Sequence, residues 1–136
     1  MQVIIIGGGA SGLMAAITAA RNGHGVTLLE RQARVGRKLL ATGNGRCNLT
    51  NMNMTLPCYH GQSPEFIRPA FAALDRDGTL DFFHGLGLLT VAEATGRVYP
   101  YSDQAGSVVD VLRFAADAAG VTTRTGFEVT GLKRTK

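Results

Sequence analysis

A chain of 136 residues fits one domain, and a domain near this size buries roughly 68–70% of its unfolded surface. The net charge of +4 is modest, and a first basic cluster at Arg31, Arg34, Arg37 and Lys38 suits a polyanionic cofactor better than nucleic acid, while Lys133, Arg134 and Lys136 read as a solvated chain end. Cys47 and Cys58 form neither a CxxC pair nor a zinc pattern and fit a reduced, cytoplasmic setting, and no run reaches the roughly twenty apolar residues of a membrane helix.

The chain opens on an apolar strand over residues 2–6, with Val3, Ile4, Ile5 and Ile6 in the pattern of a buried parallel sheet. Gly7-Gly8-Gly9-Ala10-Ser11-Gly12 follows and leads into a helix over residues 10–22, with Leu13, Ile17 and Ala20 on one face. Asn22-Gly23 ends it. A second strand covers residues 25–29 and is followed by Glu30. Strand, glycine turn, helix, second strand and acid together make the βαβ fingerprint of dinucleotide binding. Gly7 makes the tight turn, Gly9 lets a pyrophosphate approach the backbone, and Gly12 lets helix and strand pack closely. Unpaired N–H groups and the positive end of the helix dipole then hold the phosphates. Glu30 lies eighteen residues past Gly12, near the usual spacing of about twenty, where a carboxylate accepts from both hydroxyls of an unphosphorylated ribose. The fingerprint alone does not separate NAD from FAD.

Residues 31–55 carry little periodicity beyond one helical turn at Leu39-Leu40-Ala41. A loop this long inside a compact domain is usually functional. Its glycines clear space for a flat polar ligand, and its asparagines supply donors and acceptors. Gly is 18 of 136 residues, against a usual share of about 7%, which also suggests a backbone shaped around a ligand. Residues 55–64 read as a surface connection. Short helices are expected over 65–74 and 79–85, with Phe66, Ile67, Ala70, Phe71 and Leu74 forming an apolar stripe and Asp75 to Gly78 breaking between them. Leu88 to Glu93 and Arg97 to Tyr99 make a hairpin through Ala94-Thr95-Gly96. Ser102 or Asp103 is placed to cap a helix over 104–118, whose buried face carries Val108, Val111, Leu112, Ala115 and Ala119. Strands are expected over 121–124 and 127–132.

Within the long loop, Gly36-Arg37-Lys38-Leu39-Leu40-Ala41-Thr42-Gly43-Asn44-Gly45-Arg46-Cys47-Asn48-Leu49-Thr50-Asn51 resembles the hallmark run of the BaiN/YhiN-type flavoproteins, a family of NAD(P)/FAD-dependent oxidoreductases. Gly96-Arg97-Val98-Tyr99-Pro100, followed by Ser102, Ala105 and Val108, is similar to a second segment of that family. The resemblance covers the whole chain. It implies an α/β fold: a Rossmann-like, glutathione-reductase-type FAD-binding domain with a parallel sheet and the start of a β-meander. Carried over by position, it puts Ala10 and Ser11 at the pyrophosphate and Glu30 on the adenosine ribose. Arg37 and Lys38 fall beside the phosphate and ribityl region. Gly43, Asn44, Gly45, Arg46, Cys47 and Asn48 face the flavin, and the backbone of Val129 meets adenine. Family members are longer than this chain. Residues 1–136 are therefore expected to be an N-terminal part, incomplete at the C-terminus, without the closing parallel strand, the substrate domain or the C-terminal return. The strand at 127–132 would then be an unpaired edge.

The function implied is hydride transfer through FAD, by reduction of a conjugated carbon–carbon double bond in a steroid-like enone or oxidation of a small amine. A non-catalytic nucleotide-binding remnant is the alternative, and the 36–51 loop disfavours an NAD-only dehydrogenase. A small-molecule substrate is expected, with NAD(P)H a candidate electron donor and neither nucleic acid nor a membrane as partner. Arg46 is the candidate charged group beside the isoalloxazine, its alternative being a carboxylate pair. Cys47 reads as a small packed residue rather than a redox thiol, and Tyr99 and Tyr101 as hairpin packing. His24, His60 and His84 show no metal-ligand spacing.

Overall fold

A computed structural model describes residues 1–134; Lys136, of the basic chain end, lies outside the described residues. The first sheet has three parallel strands, β1 (Gln2–Ile6), β2 (Gly25–Glu30) and β6 (Thr122–Thr125), in the order β1-β2-β6. Val3 pairs with Val26 across the first ladder, and Leu28 with Thr123 across the second. Parallel neighbours need crossovers. Helix α1 (Ala10–Arg21) makes the first, and everything between Glu30 and Thr122 makes the second.

That second crossover contains α2 (Arg68–Ala73), α3 (Arg76–Gly85), α4 (Ala105–Ala118) and an antiparallel sheet of β3 (Thr50–Asn51), β4 (Thr90–Ala92) and β5 (Arg97–Pro100). Its order is β3-β5-β4, with Thr50 opposite Val98 and Val91 opposite Tyr99. One core joins the layers. Leu13, Ala16 and Ile17 of α1 meet Val26 and Leu28 of β2 and Val108, Leu112, Ala115 and Ala116 of α4.

The α/β Rossmann architecture with its parallel sheet forms as the fingerprint implies. Several details differ. The continuous apolar run of β1 is part-buried on one face, at Val3 and Ile5, and open on the other: Ile4 is 67% exposed and Ile6 54%, because α1 covers just one face of an edge strand. The stripe expected over 65–74 is also interrupted. A 3₁₀ turn at Pro64–Ile67 precedes the short α2, and the change from three to 3.6 residues per turn scatters the apolar positions, leaving Phe66 89% exposed. The break expected over Asp75 to Gly78 falls instead at Leu74 and Asp75. Asp75 accepts from the Gly78 N–H at 2.8 Å, which caps α3 and starts it at Arg76.

Neither Ser102 nor Asp103 caps α4. Its N-cap is Gln104 without a side-chain bond, Ser102 bonds the Ser107 hydroxyl, and Asp103 pairs with Arg46. Val111 and Ala119 are only half-buried there, and Val109 and Ala116 join the buried face instead.

The second late strand is also absent: among the described residues, 127–134 contain no strand. Gly126 turns the chain out of the sheet at a φ of +72°. The Gly126 and Phe127 N–H groups then donate to Gln32 O (3.0 Å) and Glu30 O (2.9 Å), so the segment folds back across the end of β2 instead of opening a meander or presenting an edge.

Leu112 is 1% exposed where α4 meets α1 and the sheet. Leu112→Ala is expected to cost about 2–5 kcal/mol in urea unfolding. A change within about 0.5 kcal/mol, the range of surface substitutions, would contradict this packing.

Candidate nucleotide-binding site

The site begins where β1 turns into α1. Gly7 adopts a φ of +100°, and its N–H donates to Leu29 O at 2.8 Å, which clips the turn onto β2. A Cβ on Gly12 would stand 1.8 Å from the Gly7 carbonyl oxygen, so only glycine lets α1 seat against the turn. A Cβ on Gly9 would meet nothing within 4 Å; that side is open to a ligand. Helix α1 has no side-chain cap and no acid in its first turn, so the first-turn N–H groups at Ala10, Ser11 and Gly12 have no partner inside the helix and face no competing carboxylate on it. An open glycine cradle, free N–H groups and a positive helix end fit a pyrophosphate.

Gly8 is a requirement that the spacing rule passes over. A Cβ there would lie 2.6 Å from Val35 Cγ1 and 3.2 Å from Glu30 Cβ. The signal available was the uninterrupted Gly7-Gly8-Gly9 run, longer than the fingerprint needs.

Glu30 is held before any ligand arrives. Its Oε2 accepts from the Gly8 N–H at 2.7 Å and its Oε1 from the Gln32 N–H at 2.8 Å. Each carboxylate oxygen has a further lone pair, so both can still accept from ribose hydroxyls. Two cavities meet at this side chain. One, of about 480 Å³, is lined by Gly8, Gly9, Glu30, Arg37 and Lys38 among others. The other, of about 270 Å³, is lined by Gly7, Leu29, Glu30, Phe127 and Val129 among others. Arg34 lies elsewhere, in a cavity of about 460 Å³ with Val109, Asp110 and Arg113 of α4.

Gly43, Asn44, Gly45, Arg46, Cys47 and Asn48 line neither of the two cavities at Glu30. They lie against the antiparallel sheet. The Leu49 N–H donates to Val98 O at 2.8 Å, and the Asn48 amide, oriented by its hydrogen bonds, donates to Thr50 O (2.8 Å) and Val98 O (3.1 Å). Asn44 and Cys47 hold φ values of +56° and +61°, a conformation that costs non-glycine residues about 1–3 kcal/mol and that clusters at functional sites. Arg46 is committed to carboxylates, Glu93 and Asp103, and stacks on Tyr99. Tyr99 is buried and Tyr101 is 72% exposed. Among the described residues no group of three or more His, Cys, Asp or Glu side chains gathers as a metal site, and no helix is long and apolar enough to cross a membrane.

The model of the HI0933-like protein Rossmann domain matches residues 1–136. The chain belongs to that family. It is 49% identical over 134 residues to the 3-dehydro-bile acid delta(4,6)-reductase of Clostridium scindens, covering 97% of this chain and 32% of that one. It is 32% identical over 128 residues to the ribosomal RNA dihydrouridine synthase of Escherichia coli, covering 94% of this chain and 32% of that enzyme. The chain thus spans about a third of the length of these curated relatives. Among solved structures, the fold is shared with Thermovibrio ammonificans THI4, at a TM-score of 0.62 and 19% identity, over 91% of this chain and 38% of that one. It is shared also with the 3-ketosteroid-delta4-(5alpha)-dehydrogenase of Rhodococcus jostii, at 0.64 and 15%, over 90% and 37%.

The two cysteines of this HI0933-like domain differ in burial and in the direction of their pKa shifts. Burial pushes the Cys47 thiol up, against a weaker opposing hydrogen bond with Thr42. Hydrogen bonds with Thr55 hold the exposed Cys58 thiol down. A raised pKa means less thiolate at any given pH, and the thiolate is the nucleophile. Iodoacetamide at pH 8 is expected to label Cys58 well before Cys47, read by peptide mass spectrometry. Equal labelling of the folded protein would contradict the burial of Cys47.

Proposed function

We propose that this chain is the N-terminal part of the FAD-binding domain of a flavin-dependent oxidoreductase. The observation that carries the reading is Glu30, fixed by two backbone donors at the meeting point of two cavities beside the open glycine turn. The smaller cavity, with Val129 in its wall, takes adenine. Glu30 accepts from the ribose hydroxyls. The turn at Gly7, Gly9 and Gly12 and the N–H groups of Ala10 and Ser11 hold the pyrophosphate, with Arg37 and Lys38 across the larger cavity as counter-charges. The segment Gly43-Asn44-Gly45-Arg46-Cys47-Asn48 forms the flavin-side wall. FAD, when bound, supplies the hydride chemistry, and these residues bind and orient it.

The reaction we favour is reduction of a carbon–carbon double bond conjugated with a carbonyl. The names of the two relatives support this class: a delta(4,6)-reductase and a dihydrouridine synthase both saturate such a bond, one in a bile acid and one in a uracil ring. The 49% identity with the first, against 32% with the second, favours a small enone over an RNA base. NAD(P)H is the proposed electron donor.

Titration with FAD, followed by flavin fluorescence, tests the reading. Glu30→Ala removes the ribose acceptor and is expected to weaken binding about tenfold to a hundredfold, the equivalent of one hydrogen bond to a charged group. Failure of the protein carrying this sequence to bind FAD would overturn the proposal. Binding of FAD without reduction of either an enone steroid or uridine in RNA would leave a nucleotide-binding module and reject the proposed reaction.

A further inference from the structure

Arg46 reaches three separate parts of the chain. Its Nη2 donates to Glu93 Oε1 at 2.8 Å, just after β4. Its Nε donates to Asp103 Oδ1, just before α4. Its guanidinium carbon lies 3.8 Å from the ring centroid of Tyr99, on β5. The planar guanidinium suits this task, since it can stack on a ring and donate to two carboxylates in its own plane. Hydrogen bonding and charge from Glu93 and Asp103 push its pKa up, so the cation persists.

The partners are themselves set. The Glu93 N–H donates to Arg97 O and its carbonyl accepts from the Gly96 N–H, both at 2.8 Å, so Glu93 sits at the neck of a hydrogen-bonded hairpin turn. Asp103 stands at a φ of +58°, a conformation that favours glycine or asparagine, and its N–H donates to Pro100 O at 2.9 Å. Tyr99 is 5% exposed and anchored in the sheet. On the other side of Arg46, the 43–48 segment contains several left-handed residues and has no helix or strand of its own to hold its shape past Gly45.

We propose that Glu93 and Asp103 are positioning residues that clamp Arg46 onto Tyr99 and so fix the conformation of the flavin-side wall. The clamp unites two carboxylates with one guanidinium and carries a net charge of about −1. Arg46 therefore serves as a buckle, and its charge is spent on Glu93 and Asp103 instead of on a reduced flavin ring. This rests on the FAD reading given above and adds the means by which the wall is ordered.

The experiment compares Arg46→Gln, Arg46→Lys, the double variant Glu93→Gln/Asp103→Asn, and Arg46→Gln combined with that double variant. Two measurements are made on each: amide hydrogen exchange over residues 43–48 without FAD, and the FAD dissociation constant. Exchange over 43–48 is expected to rise about tenfold in each variant, including the lysine one, which cannot stack and span both carboxylates. The combined variant should show no further rise, because all of them break one unit. FAD affinity should fall in parallel in every variant, the charge-conserving Arg46→Lys included. Rescue of exchange and affinity by Arg46→Lys would overturn the clamp and make Arg46 the charge partner of the flavin. Unchanged exchange would also overturn it. If the unsubstituted protein binds no FAD, the functional reading and the flavin role both fail, whereas exchange still decides whether the clamp orders the segment.

Discussion

The structure depends on one close approach, that of Gly12 to the carbonyl of Gly7. A single added carbon would stand 1.8 Å from that oxygen, well inside any tolerable contact, and backbone on both sides leaves nothing soft to move. The approach brings the first turn of α1 onto the end of β1. From there Leu13, Ala16 and Ile17 reach β2 and α4 and close the core. The same contact leaves the helix N-terminus facing outward beside the open flank of Gly9, with its N–H groups uncapped. Packing and the proposed phosphate binding thus share one requirement, which is why the motif can be read as both a folding and a binding signal.

Glu30 extends that economy. As a sequence feature it is an acid at the end of a strand. In the fold it ties the glycine turn to the segment after β2, by accepting from Gly8 and Gln32. A side chain already fixed by its own protein loses little further freedom when a ligand arrives, and preorganisation of this kind raises affinity without adding contacts. The fold-back of 126–129 completes the arrangement. Phe127 bonds Glu30 through the backbone, and Val129 joins the wall of the smaller cavity.

How much of this was legible in the sequence follows from how local each feature is. The turn, α1, β2 and Glu30 lie within thirty residues, and their periodicities and glycines are set by steric rules that act between near neighbours. The hairpin of β4 and β5 was legible for the same reason. The missed features depend on distant partners. Asp103 resembles an N-cap in its local context, but α4 starts two residues further on and Asp103 instead pairs with Arg46, 57 residues away. Phe66 and Leu74 keep helical spacing, but a 3₁₀ turn and a six-residue helix cannot turn that spacing into one buried face. Residues 127–132 have strand composition, and their path is set by Gly126 and by the carbonyls of Gln32 and Glu30.

The same distinction divides the site. The proposed adenosine half is ordered by a glycine turn, a helix end and a strand end that are close in sequence. The proposed flavin-side wall at 43–48 borrows its order from a second sheet. A two-residue strand such as β3 has no period to detect, yet through Leu49, Asn48 and Thr50 it fastens the wall to Val98. That attachment, with Arg46 bridging to Glu93 across 47 residues, lets a segment with left-handed residues at Asn44 and Cys47 keep one shape. Strain of that kind persists only when the surroundings over-determine it. The antiparallel sheet over-determines it here: the bonds to Val98 and the Arg46–Glu93 pair hold a loop that its own local preferences would leave open.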